Sequence, residues 1–291
     1  MSERAAPPSA APQAKTPRRI AARFAELART GEIAIVAYIT AGDPSLEASE
    51  KIVLAAAEAG ADVIELGVPF SDPVADGPVI QRASDRALRG GATLAGVLEL
   101  VARLRRRTQV PLVLFSYFNP ILQMGLEKFA DTAAKASADG VLVTDLTPEE
   151  ATDYRALLQA HNLDTIFLAA PTSTDARLAL VSAATTGFLY LVSRTGVTGT
   201  RDALPAELPA LVRRARKFTL LPIAVGFGIS LPTHVTVLGG IADAAVVGSA
   251  LMAAVEKAGS GDAAATAVAD LVRALKTAAR AGVSRRSLDA P

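Results

Sequence analysis

EIAIVAYITAGDPSLEASEKIVLAAAEAGADVIELG, running from Glu32 to Gly67, reads as a strand, a helix and a second strand. EIAIVAYIT is apolar and rich in β-branched residues, and Ala41-Gly42-Asp43-Pro44 ends it. Ser45 can cap the helix that follows, expected to reach Ala59, because its hydroxyl can accept a backbone N–H left over in the first turn. ADVIELG then returns as a strand. Neither strand alternates apolar with polar residues, as a strand with one wet face would. Burial on both faces points to a parallel sheet covered by helices.

Outward from this unit the couplet repeats. PLVLFS (Pro111 to Ser116) leads to a loop containing Asn119-Pro120 and a helix from about Leu126 to Ser137. GVLVTD precedes the helical PEEATDYRALLQAH, and TIFLAA precedes TDARLALVSAA. FLYLVS precedes a Gly-rich loop and a helix around Glu207 to Arg216, and LPIAVGFG and ADAAVVGSA each precede a further helical segment. Eight couplets counted from Glu32 predict an α/β fold, a (β/α)₈ TIM barrel. An open doubly wound sheet is the alternative, but no G-x-G-x-x-G follows the first strand.

RRIAARFAELART sets Ile20, Phe24 and Leu27 on one helical face, which predicts an extra N-terminal helix. Another extra helix is expected between Pro78 and Arg89. Residues 1–16, rich in Ala and Pro with no apolar run, read as a disordered tail rather than a targeting or membrane segment. Residues 17–291 read as a single domain.

The 291 residues are 51% hydrophobic, enough for a large core. Thirty basic and 29 acidic side chains leave a net charge of +1, which argues against whole-surface attraction to nucleic acid or a membrane. The absence of cysteine excludes disulfides, zinc-thiolate sites and thiol nucleophiles, and fits a cytoplasmic protein. His161 and His234 are the only histidines, so a histidine-rich metal site is not expected.

In barrels of this kind chemistry gathers at the C-terminal ends of the strands. Glu65 falls near the end of the second strand, and the loop beyond it carries Asp72, Asp76 and the prolines Pro69 and Pro73. Prolines restrict the backbone, so a long loop stiffened by them is suited to positioning a side chain. At the other end of the chain SRTGVTGTR, GFGIS and GSALM follow the sixth, seventh and eighth strands. Glycines let backbone N–H groups approach a phosphate, which marks Gly199, Gly226, Gly228, Gly248 and Ser249 as candidate ligands.

Taken together, AYITAGDP, ELGVPFSDPVADGP, FSYFNPI, SRTGVTG, AVGFGIS and VVGSAL resemble the tryptophan synthase α-subunit family, in order and spacing, from about Arg18 to about Arg280. The resemblance implies retro-aldol cleavage of indole-3-glycerol phosphate to indole and glyceraldehyde 3-phosphate. It implies that Glu65 protonates indole C3 and then accepts the hydroxyl proton, while Asp76 balances the charge that develops on the ring. Tyr190 aligns with an active-site tyrosine, and Tyr38, Phe115, Leu142 and Leu168 with an apolar indole slot. Arg194 to about Arg201 is similar to a mobile lid, with Thr198 reaching toward Asp76. No cofactor is implied for this chain. Pyridoxal phosphate is expected only in a β-subunit partner, joined in an αββα complex through the loop carrying Asp76 and the Asn119-Pro120 loop. Two other readings stay open, a free-standing lyase of the same substrate and a non-catalytic barrel that activates a partner enzyme. Phe188, Thr144 and Thr147 depart from the family pattern without touching either carboxylate.

Overall fold

The computed structural model describes residues 18–192, 204–226 and 228–286, with side chains to 281. The expected tail and the 194–201 lid, with Thr198 and Gly199, lie outside the described residues. Nine parallel strand segments form the sheet: β1 (Ala34–Thr40), β2 (Val63–Gly67), β3 (Leu112–Ser116), β4 (Gly140–Val143), β5 (Asp164–Ile166), β6 (Leu168–Ala169), β7 (Leu189–Val192), β8 (Ile223–Gly226) and β9 (Ala244–Val247). Their order is β5-β4-β3-β2-β1-β9-β8-β7-β6.

Nine segments still make eight couplets. The fifth strand is interrupted at Phe167, so that β5 pairs with β4 while β6 pairs with β7. One stretch of chain therefore bridges both ends of the sheet, and the Tyr190 N–H donates to the Phe167 carbonyl at 3.3 Å across the closure. The result is a (β/α)₈ barrel. Strands β1 to β5 are buried at every residue, which is what the unbroken apolar runs required.

Twelve helices surround the described strands: α1 (Arg19–Thr30), α2 (Leu46–Glu58), α3 (Pro78–Arg89), α4 (Leu94–Arg105), α5 (Phe118–Met124), α6 (Leu126–Lys135), α7 (Thr152–Ala160), α8 (Asp175–Ala184), α9 (Leu208–Arg216), α10 (Pro232–Leu238), α11 (Ser249–Ala258) and α12 (Gly261–Arg286). The Ser45 hydroxyl caps α2 by accepting the Ala48 N–H at 3.1 Å. Both extra helices form, α1 burying Ile20, Phe24 and Leu27. Three boundaries differ from the sequence reading. The Asn119-Pro120 stretch is helical, not loop: Pro120 sits in the first turn of α5, where its missing N–H costs nothing. Helix α4 was passed over, and α7 begins only at Thr152 because residues 148–150 form a turn.

At the N-terminal end of the barrel four aspartates repeat one arrangement. Asp62, Asp139 and Asp243 immediately precede β2, β4 and β9, and Asp164 begins β5. The carboxylates of Asp62, Asp139 and Asp243 each accept a backbone N–H beside a neighbouring strand's start, from Ile35, Leu112 and Ile223, at 2.7 Å. Helix α1 and the residue before it reach across this rim, pairing Arg23 with Asp62, Arg19 with Asp139 and Arg18 with Asp164. Lys276 of α12, only 4% exposed, also lies 3.0 Å from both Asp62 oxygens. For Asp62 and Asp139 the burial cost is met by opposite charges and a backbone donor together, whereas Asp164 relies on Arg18 through Oδ1 alone.

Candidate active site

The opposite end of the barrel is built on different terms. A cavity of about 590 Å³, counting space open to solvent, is enclosed there by Tyr38, Asp76, Ile80, Phe115, Tyr190 and Val246, with Gly228 to Ser230 and Gly248 to Ala250. Of the residues expected at the site, Asp76, Tyr38, Phe115, Tyr190, Gly228, Gly248 and Ser249 meet on this wall. Glu65, Gly226, Leu142 and Leu168 do not: Glu65 and Leu142 are fully buried, and Leu168 is half-buried.

Strand register explains the tyrosines. Tyr38 on β1 stands opposite Glu65 on β2, and Tyr190 on β7 stands opposite Ala224 on β8. Each ring extends to the glycine two residues further along the neighbouring strand. A Cβ on Gly67 would lie 2.1 Å from the Tyr38 hydroxyl oxygen, and one on Gly226 would lie 2.2 Å from that of Tyr190. Gly226 thus makes room for an aromatic ring, whatever it does for a ligand. Tyr38 meets Phe115 edge to face, their centroids 5.1 Å apart, which gives the cavity a flat aromatic flank.

Glu65 has 0% exposure, and neither carboxyl oxygen has a hydrogen-bond partner among the described residues. Desolvation raises its pKa from 4.5 to about 8, so the neutral acid prevails at pH 7. The charges of Glu65 and Asp76 both help to raise Tyr38 and Tyr190, after burial itself, so all four groups share one electrostatic neighbourhood.

Asp76 lies just before α3, on the loop that the prolines were expected to stiffen. Burial raises its pKa to about 6, against the lowering effect of a hydrogen bond from Tyr117. The Tyr117 hydroxyl donates to Asp76 Oδ2 at 3.0 Å and accepts the Ala75 N–H at 2.9 Å, tying the loop down at two adjacent residues. Its ring packs on Phe70 with centroids 5.1 Å apart. The sequence reading missed Tyr117, although it lies in FSYFNPI, because nothing local shows that a residue 41 positions away will meet Asp76.

Asp145, next to the two threonine departures, accepts the Phe118 N–H at 2.7 Å and so anchors the start of α5 beside Tyr117. Among the described residues no three histidine, aspartate or glutamate side chains converge as metal ligands would.

A carboxylic acid protonated at neutral pH, a second carboxylate largely ionised there, and an aromatic cavity bounded by a glycine-rich loop and a helix start can protonate an aromatic ring and stabilise the cation formed. Residues 24–280 match the family described as tryptophan synthase alpha chain. The tryptophan synthase alpha chain of Solibacter usitatus is 53% identical over 239 residues, covering 82% of this chain and 90% of that one. Its counterpart from Roseiflexus sp. is 48% identical over 259 residues, covering 89% and 99%. Among solved structures, one of Mycobacterium tuberculosis tryptophan synthase superposes with a TM-score of 0.84 at 35% identity, covering 90% of this chain and 98% of that one.

Proposed function

This chain belongs to the tryptophan synthase alpha chain family, and from that premise we propose that Glu65 and Asp76 carry its reaction. The enzyme is a carbon–carbon lyase that cleaves indole-3-glycerol phosphate to indole and glyceraldehyde 3-phosphate. Its obstacle is the leaving group: indole departs as a carbanion equivalent until C3 is protonated.

Neutral Glu65 gives its proton to C3, forming an indolenine cation. The resulting Glu65 carboxylate then takes the proton from the side-chain hydroxyl. The carbon–carbon bond breaks, its electron pair restores the ring, and an aldehyde forms. Glu65 ends as it began. Asp76, ionised above about pH 6, faces the indole N–H and offsets the ring's positive charge. Because Glu65 stands off the cavity wall and is held by no partner among the described residues, its carboxyl turns toward the substrate on binding. The Tyr38 and Phe115 rings flank the indole, with Tyr190, Leu142 and Leu168 assigned to the same pocket. At the other end Gly228, Gly248 and Ser249 receive the phosphate, with Gly226.

The observation that carries this reading is the fully buried Glu65, without a hydrogen-bond partner among the described residues, whose pKa of about 8 supplies an acid at neutral pH. Indole passes to the β subunit of tryptophan synthase in an αββα complex. Val74, 86% exposed on the Asp76 loop, and Leu122, 53% exposed on α5, are apolar side chains suited to that contact. We assign the chain no cofactor of its own, pyridoxal phosphate belonging to the partner. We place it in the cytoplasm; no helix among the described residues is long and apolar enough to cross a membrane. We read the described residues as one domain. Indole release by the purified chain, with and without β subunit, beside Glu65→Gln and Asp76→Asn, tests the assignment. Full activity in Glu65→Gln would overturn it.

A further inference from the structure

Gly228, Ile229 and Ser230 form the side of the cavity that meets the start of α11. Four residues beyond Ser230, on α10, lies His234, 3% exposed. Its Nδ1 accepts the Ser230 N–H at 3.3 Å. A ring nitrogen that accepts carries no proton, so the neutral imidazole holds its proton on Nε2. That atom is buried with no partner among the described residues. His234 is the third residue of α10, the place from which a capping-box side chain reaches back to a backbone N–H ahead of its helix.

Burying an unpartnered N–H costs stability, a cost that leucine here would avoid. What the histidine supplies in return is one fixed point on the loop. With the Ser230 N–H given to the imidazole, that amide is not offered to a ligand and the segment is held from one side. We propose that His234 is a positioning residue for the phosphate end of the substrate, holding Gly228 to Ser230 in place without touching the ligand. The proposal rests on the reading of this loop as part of the phosphate site.

Asparagine keeps an acceptor where Nδ1 stands, whereas phenylalanine keeps the ring and loses the acceptor. In the complex with β subunit, His234→Phe should raise KM for indole-3-glycerol phosphate and the inhibition constant of glycerol 3-phosphate by about five- to tenfold, the scale of one neutral hydrogen bond. The kcat should stay near that of the wild type, and His234→Asn should restore both constants. Cleavage of indoleglycerol, which lacks the phosphate, should not change in His234→Phe. Unaltered constants in His234→Phe, or equal losses on both substrates, would overturn the role of His234. Should His234→Phe fail to fold, His234→Leu makes the same measurement. A wild type that glycerol 3-phosphate does not inhibit would overturn the phosphate reading itself.

Discussion

The two ends of the barrel treat buried and half-buried carboxylates in opposite ways. At the N-terminal rim Asp62, Asp139, Asp164 and Asp243 are each paired with at least one arginine, and three of them also accept a backbone N–H. Even Glu32, which burial alone would raise, is held below its ordinary pKa by Lys276 and Arg280. At the cavity end Glu65 has no partner among the described residues, and Asp76 accepts from one tyrosine. Asp43 shows that this is no general property of the upper face, since Arg86 grips it through two bonds of 2.9 and 2.7 Å. Among the described carboxyls that are buried or half-buried, only the two assigned to chemistry lack a cation. Partners secure a fold, and their absence keeps a proton available near neutral pH.

The contrast breaks first at Glu65. Glu65→Gln should cut indole release by about 10³-fold, within the span of a lost general acid–base group. It should not destabilise the fold. The folded Glu65 carboxyl ionises at about pH 8 and the unfolded one at 4.5, so between those values the folded chain binds more protons. Wild-type stability therefore falls as pH rises through that window, whereas glutamine is indifferent to it. The Tm of Glu65→Gln minus that of the wild type should grow from pH 4.5 to pH 8, and a constant difference would count against the raised pKa.

Asp62→Ala tests the other rim. It takes from Lys276, Arg23 and the Ile35 N–H the carboxylate they share, leaving Lys276 with Glu32 alone, and should cost about 3–5 kcal/mol in denaturant unfolding, with kcat of the folded protein unchanged. A large kcat loss there would erase the division of labour between the ends. Next in size is Asp76→Asn, expected to lower kcat by about 10²-fold. The kcat/KM profile of the wild type should fall below about pH 6, as Asp76 is protonated, and above about pH 8, as Glu65 ionises. Asp76→Asn should lose the acid limb and keep the basic one. Tyr117→Phe is the mildest: removing one hydrogen bond should lower kcat by less than about tenfold. That bond holds the Asp76 pKa down, so the acid limb should move to higher pH without it.

Much of this was legible before the fold was known. Unbroken apolar runs gave away the parallel strands, Ser45 marked its helix, and Glu65 and Asp76 stood out at a strand end and on a proline-rich loop. Other features could not be read locally. Pro120 suggested a loop until the start of α5 placed it in a first turn. The aspartates at the starts of four strands look like ordinary turn residues until α1 and the residue before it bring Arg18, Arg19 and Arg23 to three of them. Gly226 stood out in the sequence only as a candidate ligand, and the fold adds a second reason for glycine there, since a Cβ would meet the Tyr190 hydroxyl.

The sequence by itself determined the eight strand–helix couplets and the two carboxylates beside a glycine-rich end. Hydrophobic period and residue chemistry are properties of neighbours along a chain. Only the tertiary structure decided that Asp62 would meet cations, that Glu65 would meet none among the described residues, and that Tyr117 would hold Asp76. A pKa depends on which distant segments exclude water and which bring charge or a donor, and closure of the barrel is what assembles them.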